Sequence, residues 1–440
     1  MDSVTEEEMA KTMALEGGLG IVHRAAAIER QAAMVRAVKR SQSAVIEKPL
    51  RVARGTTLES AKAYTKRHQV KAILVEESEG SGVLAGLLTN RDIPHSADPS
   101  TDQRLVDEFM TPFDRLHVAS PGVSEEEAER IMFENRVERL PLVDADRRIR
   151  GLITLRDLQF LRDRPFSSRD DKARLLVGGA VGARGDYLER ASALMEAGVD
   201  ALVVDIAHGH SDVMASAIDA LRKQHSALPL VCGNVATREG ARFLAERKVD
   251  AVKVGVGPGR GCRTRLETAA GVPQLQAIRE AWLGVGGNGQ ESIPIIADGG
   301  IADDKDIVLA LIAGASSVML GSVLSGTDES PGHVIEDPKS HEKRKIYRGM
   351  TSPSAVFQTH YDDNEERAAA LETPSEGMEI QVPYKGSVLD VLGRIRGHLQ
   401  SAVSYAGETS LAAARAKILP DPFRYLIPLT EASYRESFER

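Results

Sequence analysis

The strongest constraint on this chain is an alternation that begins near residue 172. Short apolar runs are separated by amphipathic stretches. The runs are LLVGGAV (175–181), ALVVDIA (201–207), LPLVCGN (228–234), AVKVGVG (251–257), IPIIADGG (293–300) and SSVMLGS (316–322). Each is apolar on both faces, as a strand buried in a parallel sheet must be. The stretches between them, such as DYLERASALMEAG (186–198) and ATREGARFLAERK (236–248), carry apolar residues at helical spacing. Repeated strand-then-helix units define an α/β fold with a parallel sheet. Upstream, GLGIVH (18–23) reads as a seventh strand and IERQAAMVRAVKR (28–40) as a helix. The first segment reads as a helix with Thr5 as its N-cap, glutamates in its first turn and a stop at Gly17-Gly18. Seven strands, with the chain starting directly before the first helix, match a (β/α)8 TIM barrel whose first strand is largely missing. A doubly wound sheet is the alternative. Glycine-rich motifs after several different strands, rather than after the first alone, favour the barrel.

At 440 residues the chain exceeds one ordinary domain, so a barrel with a second module is expected. The balance of 56 basic against 64 acidic residues, a net charge of −8, argues against a dedicated nucleic-acid binder. No apolar run approaches the roughly 18 residues that span a bilayer. The acidic start is unlike a secretory leader. With Cys232 and Cys262 as the two cysteines, a disulfide framework is excluded and a reducing cytoplasm fits.

Residues 43–163 interrupt the alternation with an internal repeat. One copy runs TTLESAKAYTKRHQVKAILV and then GLLTNRDI (86–93); the other runs GVSEEEAERIMFENRVERLPLV and then GLITLRDL (151–158). Thr89 and Asp92 in the first copy match Thr154 and Asp157 in the second. The domain division expected is therefore 1–42 for the start of the barrel, 43–163 for the module and 164–440 for the rest. The repeat resembles a tandem pair of CBS domains, a regulatory module for adenine or guanine nucleotides. The resemblance implies that Thr89, Asp92, Thr154 and Asp157 contact the ribose and phosphate. The plainer reading is that both aspartates cap the following helices.

The densest chemistry lies in Val254-Gly255-Val256-Gly257-Pro258-Gly259-Arg260-Gly261-Cys262-Arg263-Thr264-Arg265. It follows a strand, at the face where barrel active sites form. Glycines there let the backbone approach a ligand closely. A cysteine among arginines favours the nucleophilic thiolate, although a buried thiol in a glycine turn is the alternative. Cys232, inside an apolar run, reads as a core residue.

Taken with Gly271-Val272-Pro273-Gln274, this loop resembles the catalytic loop of the IMP dehydrogenase / GMP reductase superfamily. MDSVTE (1–6), DIAHGHS (205–211), GNVAT (233–237), ADGGI (297–301), MLGS (319–322), YRGM (347–350), SEG (375–377), VPYKG (382–386) and SYAG (404–407) extend the resemblance along the chain. It implies oxidation of IMP to XMP with NAD. Cys262 would attack the purine C2, and Thr264 would help with water or leaving-group activation. Asp298 would bind the ribose. Gly300, Gly321, Ser322 and Tyr347 would bind the phosphate, and Met350 and Glu376 the base. Asp205 and Asn234 would meet the nicotinamide riboside. The carbonyls of Gly257, Gly259 and Cys262 would hold a monovalent cation, potassium. A homotetramer or octamer is implied as well.

Three departures stand out. Arg260-Gly261 replaces the Ser-Ile whose serine bonds the phosphate in the family. The region 357–374 lacks the Arg-Tyr pair that activates water, leaving Tyr361 and Arg367 as candidates. The chain also begins at the motif that normally ends strand one, so a truncated start is expected. The missing Arg-Tyr pair keeps GMP reduction with NADPH open as an alternative. A non-catalytic nucleotide-sensing homologue is a further one. The N-terminal portion and Arg435-Glu436-Ser437 favour the dehydrogenase.

Overall fold

In the computed structural model, residues 1–41, 45–68, 70–93, 99–287, 292–355 and 375–438 are described. The chain forms two compact units, one of Met1–Lys39 with Leu176–Arg440 and another of Arg40–Leu175.

In the first unit, seven strands pair in parallel. Their order is Gly20–Val22, Val177–Val181, Ala201–Asp205, Leu230–Val235, Ala251–Val254, Ile295–Asp298 and Ser317–Met319. Spatial order equals chain order, as a β/α barrel requires; a doubly wound sheet would reverse direction at a switch point. All seven apolar runs are strands. Their interiors are buried as expected: the five residues of Val177–Val181 are all buried. Helices such as Asp212–Gln224 and Arg238–Glu246 cover the sheet, with Ser211 and Thr237 accepting amide bonds at their N-termini.

Two features differ from the sequence expectation. The first helix spans Glu7–Leu15, with Glu6 at its N-cap and no capping side chain, so Thr5 is not the cap. Glu7 and Glu8 still offset the positive end of the helix. The second is an antiparallel sheet of Ile335–Glu336, Lys343–Arg348 and Glu379–Pro383. Its charged, alternating sequence carries no continuous apolar run. It nonetheless delivers Tyr347 and the segment around Glu376 to the barrel.

The second unit repeats one pattern. Helix Leu58–Arg67 precedes strands Ala72–Glu76 and Leu84–Thr89; helix Glu125–Glu134 precedes strands Arg139–Val143 and Ile149–Thr154. Each copy has its own apolar cluster. A third cluster of Leu74, Leu84, Leu87, Val143 and Leu152 joins the copies. Backbone bonds reinforce that seam, with Ile149 N–H donating to Gly82 and Leu84 N–H to Arg147. Leu74 is fully buried at the joint. Leu74→Ala is expected to cost this unit roughly 2–5 kcal/mol, read as a lower denaturation midpoint. An unchanged midpoint would contradict the seam as a stabilising core.

Candidate active site

The strand ends carry the polar residues. Lys253 stands in Ala251–Val254 and is 2% exposed. An ammonium there must be paired. Its Nζ donates to Asp205 at 2.8 Å, to Asp298 at 2.5 Å and to the Asn234 amide oxygen. Burial works against the lysine charge, but the two carboxylates outweigh it and hold its pKa above the ordinary value. Loss of water likewise works against the Asp205 charge, and Lys253 outweighs it, so that carboxyl is held low. Asn234 also donates to Asp298 at 3.1 Å and to the Gly255 carbonyl at 2.7 Å. Three expected ligand residues, Asp205, Asn234 and Asp298, are thus gathered by a lysine that the sequence reading passed over. The signal was available: Lys253 is a lone charge inside an otherwise apolar strand.

The loop after this strand approaches the neighbouring backbone closely. A Cβ on Gly255 would sit 2.0 Å from the Asp298 carbonyl, at φ +150°, so glycine is required there. Gln274 ties the same ends together, donating to Val254 at 2.9 Å and Asp298 at 3.3 Å. Cys262 N–H closes a turn on the Gly259 carbonyl at 3.0 Å. The segment 376–378 then clasps the loop: Arg263 N–H donates to Glu376, and Met378 N–H to Gly261.

This clasp sets the side-chain chemistry. The Cys262 thiol lies 3.1 Å from the Thr264 hydroxyl, which donates to Glu376 at 2.5 Å. A thiol, a hydroxyl and a carboxylate in one hydrogen-bonded line can move a proton away from sulfur or towards a leaving group. Cys232 is different: burial pushes its thiol up to about 12.

The remaining expected residues fall nearby or have room for partners. Asp298 Oδ1 takes no protein hydrogen bond among the described residues, which suits a ribose diol. Gly299 and Gly300, at φ +86° and +76°, turn the chain directly after it. A Cβ on Gly321 would sit 3.3 Å from the Tyr347 hydroxyl, so the end of strand Ser317–Met319 meets the antiparallel sheet here. Burial raises the Tyr347 phenol to about 12, which keeps it a hydrogen-bond donor at neutral pH. Ser322 lies beside Gly321, and Met350 follows Gly349, whose N–H donates to Met378. Tyr361 and Arg367 lie outside the described residues.

Among the described residues no group of three or more His, Cys, Asp or Glu is placed to hold a metal. Backbone carbonyls are the donors for a monovalent cation instead. No protein donor bonds the carbonyls of Gly257 or Cys262 among the described residues, whereas the Gly259 carbonyl accepts from Cys262 N–H, so two of the three expected donors are unengaged and suit such an ion. No described helix is long and apolar enough to cross a membrane.

In the second unit, Thr89 N–H and hydroxyl both donate to Asp92, at 2.8 and 2.7 Å. The Thr154 hydroxyl donates to Asp157 at 2.5 Å and accepts from its N–H. Thr154, not Asp157, is the N-cap of helix Leu155–Arg162.

Lys253→Met is expected to cost about 1–3 kcal/mol, less than for a fully buried pair, because the carboxylates left unpaired are partly exposed, Asp205 at 40% and Asp298 at 25%. The depressed Asp205 contributes above the ordinary aspartate value near 3.9, and the raised Lys253 contributes below the ordinary lysine value near 10.4. The deficit is therefore largest between those limits and narrows outside them. Urea unfolding across pH measures it; a pH-independent deficit would contradict ion pairing as its origin.

A family model described as the IMP dehydrogenase / GMP reductase domain matches residues 1–439. Inosine-5'-monophosphate dehydrogenase of Nitrosopumilus maritimus is 43% identical over 413 residues, covering 92% of this chain and 83% of that protein. The enzyme of the same name from Aquifex aeolicus is 41% identical over 437 residues, covering 99% and 86%. Among solved structures, a variant of GMP reductase from Trypanosoma brucei in complex with guanosine 5'-monophosphate superposes with a TM-score of 0.84. It is 37% identical, covering 99% of this chain and 88% of that one.

Proposed function

The chain belongs to the IMP dehydrogenase / GMP reductase family, and on that premise we propose that it oxidises IMP to XMP with NAD. The observation that carries this reading is the line Cys262–Thr264–Glu376 at the mouth of the barrel. NAD, when bound, accepts the hydride. The Cys262 sulfur adds to C2 of the hypoxanthine ring and stays bonded to it after the hydride leaves. Water then adds to C2, and the carbon–sulfur bond breaks to release XMP and the thiol. Thr264 and Glu376 are one and two hydrogen bonds from the sulfur, which fits them to carry its proton.

Residues present fit both small ligands. Asp205 and Asn234, both bonded to Lys253, are read as partners of the nicotinamide riboside, and Asp298 as the partner of the ribose of IMP. Gly300, Gly321, Ser322 and Tyr347 form the phosphate cradle, with Met350 and Glu376 on the base. The carbonyls of Gly257, Gly259 and Cys262 take potassium, which would brace the loop. The 43–163 module is read as a tandem CBS pair that binds adenine or guanine nucleotides, and the assembly as a tetramer or octamer.

The Thr264–Glu376 pair also favours a second reading. A hydroxyl backed by a carboxylate can protonate a departing amine, as reduction of GMP by NADPH requires. One assay pair separates the two. NADH formation from IMP and NAD is expected; NADPH consumption with GMP in its absence would overturn the dehydrogenase assignment. Cys262→Ala is expected to abolish turnover, at least ~10³-fold, while calorimetric IMP binding survives. Residual turnover near wild type would reject the nucleophile.

For the module, Asp92→Ala with Asp157→Ala is expected to weaken ATP or GTP binding tenfold or more, roughly the loss of one charge-assisted contact. Steady-state turnover of IMP and NAD without added ATP or GTP should stay constant. Unaltered ATP and GTP affinity would refute the assignment.

A further inference from the structure

Three lysines are buried among the described residues: Lys39, Lys253 and Lys345. Lys39 pairs with Asp200 at 2.6 Å, and Lys253 with Asp205 and Asp298. Lys345, 3% exposed, is held by no carboxylate among the described residues. Its Nζ donates to the backbone carbonyls of Thr327 at 2.8 Å and Ser330 at 2.7 Å, with the Asp328 carbonyl and the Ser330 hydroxyl at 3.5 Å. The nearby carboxylates serve other donors. Asp328 accepts from the Tyr384 hydroxyl, and Glu329 from the Ser387 hydroxyl and Val388 N–H. Burial lowers the Lys345 pKa from its ordinary value, and the charges of Asp328 and Glu329 oppose that. An ammonium held by the carbonyls of one turn has the surroundings that a bare monovalent cation takes.

This carbonyl cage joins the barrel to the antiparallel sheet. Residues 327–330 lie downstream of the last barrel strand, Ser317–Met319, and Lys345 stands in strand Lys343–Arg348 of that sheet. A Cβ on Gly326 would sit 2.3 Å from the Pro383 carbonyl, at φ +83°, so the turn also meets strand Glu379–Pro383 backbone to backbone. Lys385 N–H donates to Gly326, and Asp328 N–H to Gly386. Tyr347 is two residues on from Lys345, and these two are the buried positions of their strand. Beyond them, Gly349 packs on the loop of Cys262: a Cβ there would lie 2.4 Å from the Gly261 carbonyl. One buried charge thus seats a strand whose far end touches the Cys262 loop.

We propose that Lys345 is a positioning residue whose ammonium acts as a tethered monovalent cation: it fills the carbonyl cage of residues 327–330 and so seats the antiparallel sheet, with Tyr347 and the Gly349–Gly261 contact, on the barrel. With the side chain removed, the same cage takes a free primary ammonium ion. The effect on substrate rests on the nucleotide site assigned above; the cage itself does not. The dinucleotide side is separate, because Asp205 and Asn234 stand on barrel strands tied by Lys253. Lys345 therefore acts on the purine nucleotide and leaves the dinucleotide alone.

The test uses the full chain with Lys345→Ala and Lys345→Met. Both are expected to lower Tm by roughly 3–8 °C, since the cage carbonyls lose their buried donor. Propylammonium supplies the atoms that Lys345→Ala removes. At millimolar concentration it should restore most of the Tm lost by Lys345→Ala and none of that lost by Lys345→Met, whose side chain fills the channel. Propanol, the uncharged analogue, should restore neither. In Lys345→Met, KM for IMP is expected to rise roughly tenfold while KM for NAD stays constant, a split that a general loss of stability does not produce. In the wild type, reductive methylation followed by mass spectrometry should spare Lys345 and modify exposed Lys343, an arm that needs no variant to fold. The Tm and labelling arms need no turnover, so they stand even if neither IMP nor GMP reacts. An unchanged Tm in Lys345→Met, restoration of Lys345→Ala by propanol as well as by propylammonium, equal rises in KM for IMP and NAD, or Lys345 labelled as fast as Lys343 overturns the proposal.

Discussion

The site depends on one buried ammonium. Lys253 ties the ends of strands Ala201–Asp205, Leu230–Val235 and Ile295–Asp298 to its own strand. None of these contacts is optional. A lysine 2% exposed would lose its charge without Asp205 and Asp298, and those carboxylates would repel each other without the lysine. The groups read as ligands for ribose hydroxyls are thus the counter-ions of a core residue. The candidate binding residues and the scaffold share one electrostatic unit, which fixes them before any ligand would arrive.

A second constraint comes from far along the chain. The glycine loop of Cys262 is held by backbone bonds from 376–378, and Glu376 completes the line that starts at Cys262. The antiparallel sheet of Lys343–Arg348 and Glu379–Pro383 positions that segment. It sits on the barrel as an added platform and brings Tyr347 to Gly321. Cys262 is therefore placed by the barrel strand before it, and the carboxylate that Thr264 bonds by the platform. A change in the platform is felt at sulfur through geometry alone.

How far the sequence reveals this varies with the range of the interaction. The seven strands were legible because burial on both faces forces continuous apolar runs, as in LVVD of 202–205 and LVCG of 230–233. The glycine loop and its cysteine were legible because close backbone approach demands glycine, as at Gly255. The platform strands were not. They expose charged faces, so KRKIYR carries only the two buried positions of Lys345 and Tyr347. The Thr5 cap was misplaced by one residue: the helix starts at Glu7, so Glu6 holds the N-cap position although its side chain makes no capping bond. Lys253 was visible but unread: its pairing is non-local, linking positions 48 residues before it and 45 after.

The two cysteines show why place, not residue type, decides reactivity. Cys232 lies mid-strand and fully buried, its thiol raised to about 12 by the loss of water. The Arg222 charge works the other way there but is outweighed by burial. Cys262 lies beyond a strand end, where the side chain meets Thr264, which in turn bonds Glu376. Cys232 sits inside one short apolar run of the fold, and Cys262 follows another. The difference is a few residues of glycine-rich chain, which carry one thiol out of the core and into contact with a hydroxyl. The barrel mouth is reactive because strand ends release polar groups there, and the Lys253 network keeps the released groups in register.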